Sequence, residues 1–344
     1  MALVQLSDVI IPSVFLSYQD VINPKLTAIF ESGIVTQDPI LRAALDSDTG
    51  LEVTVPAWGD LDRTIEPNYQ TDNPADVAVP LKLGTLEWKM RKAFLDQAWS
   101  AANLVRELAG TDPMAAIRAR TDRYWQRRWQ SRLLATVLGV YNANVAQNSA
   151  DMVVNIAAGA AVAPTTANQF ARNAFVDANF TLGEHFGDVA ALMVHPTVLS
   201  NMIKNELITY VQPSQVPIKM PYFDEKLVIV DEDMPFFPAT GSGGTLVAAR
   251  YLSILFAQGA IGYAAGTTQV PVEIYRQPLQ GNGGGVDILI ERKSMMMHPA
   301  GYNFVGGTVS VGVNATNADL QVAANWARVE YRENVKLAFM VTNG

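Results

Sequence analysis

The sequence contains no cysteine, which excludes disulfides, thiolate metal ligands and cysteine nucleophiles together. Histidine is scarce, with three in 344 residues, and neither His185 nor His195 stands in an H-E-x-x-H or comparable ligand spacing. Only 17% of residues are charged, against 49% hydrophobic. That is poor in charge for a soluble domain and too apolar for disorder, so something other than water is expected to cover part of the surface. Positive charge is the minority sign, with 25 Lys+Arg against 33 Asp+Glu and a formal net charge of −8. This argues against a general nucleic-acid binder, which needs clustered cations. Long apolar runs are missing: VVNIAAGAAVAP from Val153 is too short to span a bilayer. The N-terminal stretch MALVQLSDVIIPSVFLSYQD has no cation before Lys25 and does not read as a secretory signal. The expectation is a soluble protein made and kept in a cytoplasm, of about two domains by length, with no membrane partner.

The organisation along the chain is uneven. Residues 1–50 show short apolar bursts cut by Pro12, Pro24, Gly33 and Pro39, the pattern of an arm laid over another surface. LEVTVP and VAVPLKLGTLEWKM alternate with a strand period around a polar stretch holding Pro67 and Pro74. They predict a two-stranded arm with a broad tip over 51–94. An isolated hairpin is marginal in water, so this one needs a neighbour to lie on. Thr111 or Asp112 can then cap a helix with Pro113 in its first turn. Ile117, Tyr124, Leu134, Val137, Leu138 and Tyr141 fall near one stripe of that long helix, and six arginines between Arg118 and Arg132 occupy much of the rest. From 150 to 265 the pattern mixes α and β: ANQFARNAFVDANF with a row at Phe170, Ala174, Ala178 and Leu182, the strand DVAALMVHP, a helix over TVLSNMIKNELITYV, the strand KLVIVDEDMP, and the apolar strand YLSILFAQGAIGYA. Strand patterns return in VPVEIYRQP, VDILIERKSMMM and VKLAFMVT.

Five stretches carry candidate chemistry. In RKSMMMHPAGYNF, strand alternation puts Met295 and Met297 on one face and Met296 with His298 on the other. That separates the ligands a soft-metal site must converge, so packing before a turn is the preferred reading. GSGGT at 241–245 lacks the lysine of a phosphate-binding loop, and GNGGG at 281–285 precedes a strand instead of a helix; both read as mobile loops. Asp231, Glu232 and Asp233 could hold a divalent cation, but a solvated turn is preferred. No G-x-S-x-G is present. For the helix arginines, ion pairing with acidic neighbours, within or between subunits, is preferred over phosphate contact.

The order of these parts resembles the tailed-phage major capsid proteins of the Hong-Kong-97-type fold, over nearly the whole chain. The stretches that carry the resemblance are VTVPAWGDLD (53–62), AGTDPMAAIRARTDRYWQRRWQSRLLATVLGVY (109–141), ALMVHPTVLSNMIKNELI (191–208), LVIVDEDMP (227–235), AQGAIGYAAG before PVEIYRQP, ERKSMMMHPAGYNF, and ADLQVAANWARVEYRENVKLAFMVT (318–342). The resemblance implies an α+β chain with an N-terminal arm (1–50), an extended loop (51–94), a spine helix with the first part of a peripheral domain (95–155), an axial domain (156–268) and the second part of the peripheral domain (269–344). It implies a structural subunit, not an enzyme, without cofactor or metal. The subunit would self-assemble into hexamers and pentamers around packaged double-stranded DNA touched non-specifically at the inner surface. A separate scaffolding protein, a portal and a decoration protein are the further partners it implies, with assembly in the host bacterial cytoplasm and residence in the virion. Candidate inter-subunit contacts are Trp58, Asp60, Asp62, Arg63, Lys82, Trp88, Arg123 and Arg127, and candidate hinge or capsomer loops are marked by Gly241, Gly243, Gly283 and Gly284. Lys82, Lys89 and Lys92 are available for inter-subunit cross-linking, but no catalytic carboxylate is evident and none is expected. The alternatives are an encapsulin-like compartment shell and, more remotely, a metal- or nucleotide-dependent enzyme.

Overall fold

A computed structural model describes residues 35–37, 39–46, 50–59, 61, 64–109, 112–159, 162–211, 220–240, 246–266, 268–307, 309–310 and 314–344. Most of the expected arm, together with Asp60, Asp62, Arg63, Gly241 and Gly243, lies outside the described residues. The first described elements are β1 (Thr36–Gln37), a helix at Pro39–Asp46, and a hairpin of β2 (Glu52–Trp58) and β3 (Thr85–Arg91). β4 (Ala93–Ala102) follows β3 after one residue, and a short helix (Asn103–Ala109) leads to the long helix Pro113–Gln147. Next come β5 (Val153–Asn155), the helix Arg172–Phe180, β6 (Val189–Val194), the helix Pro196–Lys204, β7 (Thr209–Val211), β8 (Met220–Phe223), β9 (Lys226–Val230), β10 (Phe236–Thr240) and β11 (Leu246–Ala257). The chain ends with β12 (Ile261–Gly266), β13 (Val272–Gln277), β14 (Val286–Pro299), β15 (Tyr302–Phe304), β16 (Trp326–Arg328) and β17 (Leu337–Thr342).

The long helix organises everything else. Asp112 caps it, accepting from the Met114 and Ala115 amides, and Pro113 supplies the first helical residue, whose amide would be unpaired in any case. Its 35 residues rise on the order of 50 Å at 1.5 Å each. Its two halves differ. The first half shows one buried stripe (Met114, Thr121, Trp125) against β4 and β14, whereas Arg132 through Val137 are all buried. Of the stripe read from the sequence, Ile117 and Tyr124 are half-buried beside that row, and Leu134 and Val137 are buried in the second half, where the helix is sandwiched.

That second half covers one face of an eight-stranded mixed sheet of order β5-β17-β11-β6-β9-β8-β7, with β10 paired to β11. Alternation divides the strands cleanly. Ile254, Phe256, Phe339 and Val341 join the core under the long helix with Leu133, Val137 and Val140. Leu255, Ala338 and Met340 point to the opposite core with Phe170, Ala174, Phe175, Ala178 and Leu182, as the helical row predicted, and with Val198 and Met202. Because both faces are covered, β17 is buried at every residue and reads as an unbroken apolar run. β17 lies between β5 and β11, so the chain's last strand completes the sheet that residues 153–257 begin.

The second sheet is built on β14, fourteen residues long. β4 runs antiparallel along one edge of it, while β13 and then β12 pair with successive parts of the other, and β1 adds to β12. Met295 and Met297 pack toward Tyr263 and Trp129, while Met296 faces Leu41, Leu45 and Met90 on the opposite side. The alternation argument for the methionines therefore holds. The first half of the long helix lies on this sheet through Trp99 edge-on to Tyr124 (5.3 Å) and a hydrogen bond from Trp125 Nε1 to Glu291 Oε2 (2.7 Å).

Three local expectations are corrected. VAVPLKL is exposed coil, and the hairpin's second strand begins only at Thr85. ITYV does not extend the preceding helix, which stops at Lys204; Glu206 takes a positive φ of 55°, and β7 follows. YLSILFAQGAIGYA is two strands in different sheets, broken where Gly259 turns at φ 72°. In the first and third cases period-2 hydrophobicity persisted where no edge was available to pair or where Gly259 turned the chain; in the second, the helical pattern ran on past the positive-φ Glu206.

Candidate assembly surfaces

The hairpin is tied down at its base and exposed at its tip. Asn303 on β15 acts as a substitute strand for β3: its Oδ1 accepts from the Lys89 amide (2.8 Å) and its Nδ2 donates to the Glu87 carbonyl (2.8 Å). Trp88 Nε1 donates to Glu330 Oε1 (3.1 Å), and burial raises that carboxyl above its usual range, with the indole bond opposing. Arg91 stands 5.8 Å over the Phe304 ring and 3.4 Å from Glu52 Oε1. The Phe94 amide donates to Asn314 Oδ1 (2.9 Å). All of these contacts but the Arg91–Glu52 pair span more than 200 positions of sequence, and nothing in YNF or its neighbours signals them.

Beyond the base, the hairpin has its own tip. Gly59 N bonds Gly84 O (2.9 Å), Asn68 reaches across to the Val79 carbonyl, and Asn73, Pro74 and Asp76 form a turn in which Asn73 Oδ1 accepts from Ala75. The tip exposes Trp58 (75%), Tyr69 (76%) and Val77 (84%), with Leu61, Val79 and Leu81 also largely in solvent. So many large apolar groups on a projection with no core of its own mark an interaction surface. Lys82 is exposed on this projection. Trp88, expected among the inter-subunit contacts, is instead half-buried and turned inward to Glu330.

The arginines of the long helix do not behave as one set. Arg118, Arg120, Arg123 and Arg128 are exposed, Arg127 is half-buried, and Arg132 is buried with its Nη1 on the Ala315 carbonyl (2.9 Å). Within the subunit, the expected pairing with carboxylates is not seen for Arg118, Arg123 or Arg128 among the described residues. Among the described residues, no contact joins Arg123 to the hairpin.

The remaining candidates are structural. Gly283 and Gly284 lie in the tight turn joining β13 to β14, where Gly281, Asn282, Gly283 and Gly285 all have positive φ and the Asn103 amide bonds Gly285 O (3.1 Å). This turn links paired strands of one sheet. His195 caps the helix Pro196–Lys204 by accepting from the Thr197 amide, and His185 pairs with Asp188 at 3.1 Å. His298 is buried. Asp231 is not solvated, as a surface turn would have it: it is buried, accepts from Gln130 on the long helix and takes the Asp233 amide at 2.7 Å. Among the described residues no three His, Asp or Glu converge as a metal site, and no helix is long and apolar enough to cross a membrane.

A hairpin projection, a helix spanning two sheets and a doubly covered mixed sheet define a shell-building subunit of the Hong-Kong-97 type. Solved structures agree at the level of fold. The capsid of Ralstonia phage GP4 matches with TM-score 0.58 and 10% identity over 97% of this chain and 96% of its own. The Cyanophage Pam1 capsid asymmetric unit matches with TM-score 0.59 and 9% identity over 99% and 98%. The SrpI encapsulin of Synechococcus elongatus PCC 7942 matches at 0.46, too low to weigh for a cellular compartment. No protein-family model matches the sequence. The major capsid protein of Bacillus phage SPP1 is 34% identical over 339 residues, covering 98% of this chain and 97% of that one. The chain belongs to the family of tailed-phage major capsid proteins.

Proposed function

We propose that this chain is the repeating subunit of an icosahedral phage capsid, assembling into hexamers and pentamers that enclose packaged double-stranded DNA. The observation that carries this reading is full-length similarity to a major capsid protein, and the exposed apolar hairpin tip supplies a surface for docking on a neighbouring copy. In this reading residues 1–50 are the arm and 51–94 the extended loop. The long helix with the β14 sheet forms the peripheral domain, and the doubly covered sheet is the axial domain. Trp58 and Lys82 contact a neighbouring subunit; Asp60, Asp62 and Arg63 belong to the same loop. Exposed Arg118, Arg123 and Arg128 suit either a neighbour's carboxylates or the phosphates of packaged DNA. The net acidic chain keeps that DNA contact weak, which dense packing requires. The subunit works by assembly and not by turnover. A separate scaffolding protein, a portal and a decoration protein are its partners, with assembly in the host bacterial cytoplasm.

Sedimentation velocity with negative-stain microscopy of the purified protein, with and without co-expressed neighbouring genes, tests this. Closed shells or rings of five and six subunits are expected. A persistent monomer or dimer under every condition would overturn the proposal.

A further inference from the structure

Under the hairpin base lies a small cavity of about 20 Å³, room for one occupant of water or halide size. Five parts of the chain close it: Arg91 and Ala93 from the hairpin base, Arg132 and Thr136 from the long helix, Met297 and His298 from β14, Phe304 from β15, and Ala315, Leu320 and Trp326 from the C-terminal segment. Arg91, Arg132 and His298 supply its ionisable side chains, and no carboxylate lines it among the described residues.

Arg132 is the central group. It is only 8% accessible, and its one bond to a protein acceptor among the described residues is the Ala315 carbonyl at 2.9 Å. No carboxylate pairs with it among the described residues. Burial and the nearby Arg128 lower its guanidinium to about 10, so it stays cationic at neutral pH. The guanidinium of Arg91 adds a second cation, 3.4 Å from the half-exposed Glu52. His298 is 6% accessible, and its Nε2 meets no hydrogen-bond partner. Burial pushes its imidazole down to about 4, so at neutral pH it contributes a neutral ring. A buried cation without a counter-charge is among the costliest arrangements in a protein, and a buried donor left unmade adds to that cost. One small anion answers both.

We propose that this cavity binds a single monovalent halide, chloride in solution, held by the Arg132 and Arg91 guanidiniums and the unpartnered imidazole nitrogen of His298. The volume suits a single monatomic anion. The anion would join the hairpin base to the long helix and to β14, at the point where the projection leaves the body. The inference stands whether or not the assembly reading does.

The test uses unassembled subunits with bromide as the probe. Bromide is titrated against acetate at constant ionic strength, and thermal unfolding is followed for wild type, Arg132→Met and Arg132→Lys. Wild type is expected to gain about 2 °C or more as bromide saturates the site, Arg132→Met to gain nothing, and Arg132→Lys to gain less. Crystals grown in bromide should show one anomalous peak between Arg132, Arg91 and His298. The peak needs no variant, so it decides the matter even if Arg132→Met fails to fold. Water alone in the cavity, or an equal bromide response in wild type and Arg132→Met, would overturn the proposal.

Discussion

Gly139→Ala sets two well-measured effects against each other. Gly139 lies inside the long helix, eight residues before its end at Gln147. On helix propensity alone, alanine should stabilise by about 1 kcal/mol. The surroundings reverse the sign. A methyl group there would overlap the Leu320 carbonyl oxygen and the Trp326 indole nitrogen, and would sit 2.9 Å from Trp326 Cδ1. Neither neighbour is a flexible chain end. Leu320 O is backbone and accepts from Trp326 Nε1 at 2.7 Å, and Trp326 is buried edge-on to Phe304 at 5.1 Å. The segment must therefore move away from the helix. Overpacking costs about 1–3 kcal/mol, and stranding a buried indole N–H costs about 1–3 more. Net of the propensity gain, Gly139→Ala should destabilise the subunit by about 1–5 kcal/mol, read as a lowered midpoint in denaturant or heat. Ala119→Gly, at an exposed site of the same helix, is the control and should cost about 1 kcal/mol. A Gly139→Ala subunit as stable as wild type would refute the steric argument. So would additivity with Trp326→Phe, since touching residues should couple by about 0.5 kcal/mol or more.

Three further outcomes follow from the same geometry. Asn303→Ala removes both hydrogen bonds to the β3 edge, and amides of Lys89 and its neighbours should exchange about tenfold faster, measured by hydrogen exchange, while those of β17 hold. Asp112→Ala deletes the helix cap and should cost about 1 kcal/mol in subunit stability by denaturant unfolding; Asp112→Asn should retain most of it. Asp319 accepts from the amides and hydroxyls of Thr316 and Ser310, which hold its carboxyl down to about 2. Its contribution is therefore complete above the ordinary carboxylate value and is lost as pH falls from about 4 toward 2. Asp319→Asn should flatten the acid limb of the stability profile in that window, and an unchanged limb would remove Asp319 as its source.

Local chemistry made several elements legible. Asp112-Pro113 is a helix start by capping and by the missing proline amide. The methionine alternation is a property of any strand, and Val272–Gln277 and Leu337–Thr342 appeared as strands because their patterns needed no partner to be read. The need of the hairpin for a neighbour was legible too, since two strands with a polar tip cannot bury a core.

What the sequence by itself determined is the parts list and its order: a projecting hairpin, a capped helix of unusual length, buried strands with helices between them, and a surface poor in charge. Only the tertiary structure decided which edges pair and which polar groups meet. β17 inserts between β5 and β11, Asn303 serves as an edge for β3, Gly139 gives way to Trp326, and Arg132 is buried beside His298. Each joins residues from about 90 to more than 200 positions apart, where no periodicity carries information. Periodicity says that a face is buried; closure of the chain on itself decides against what.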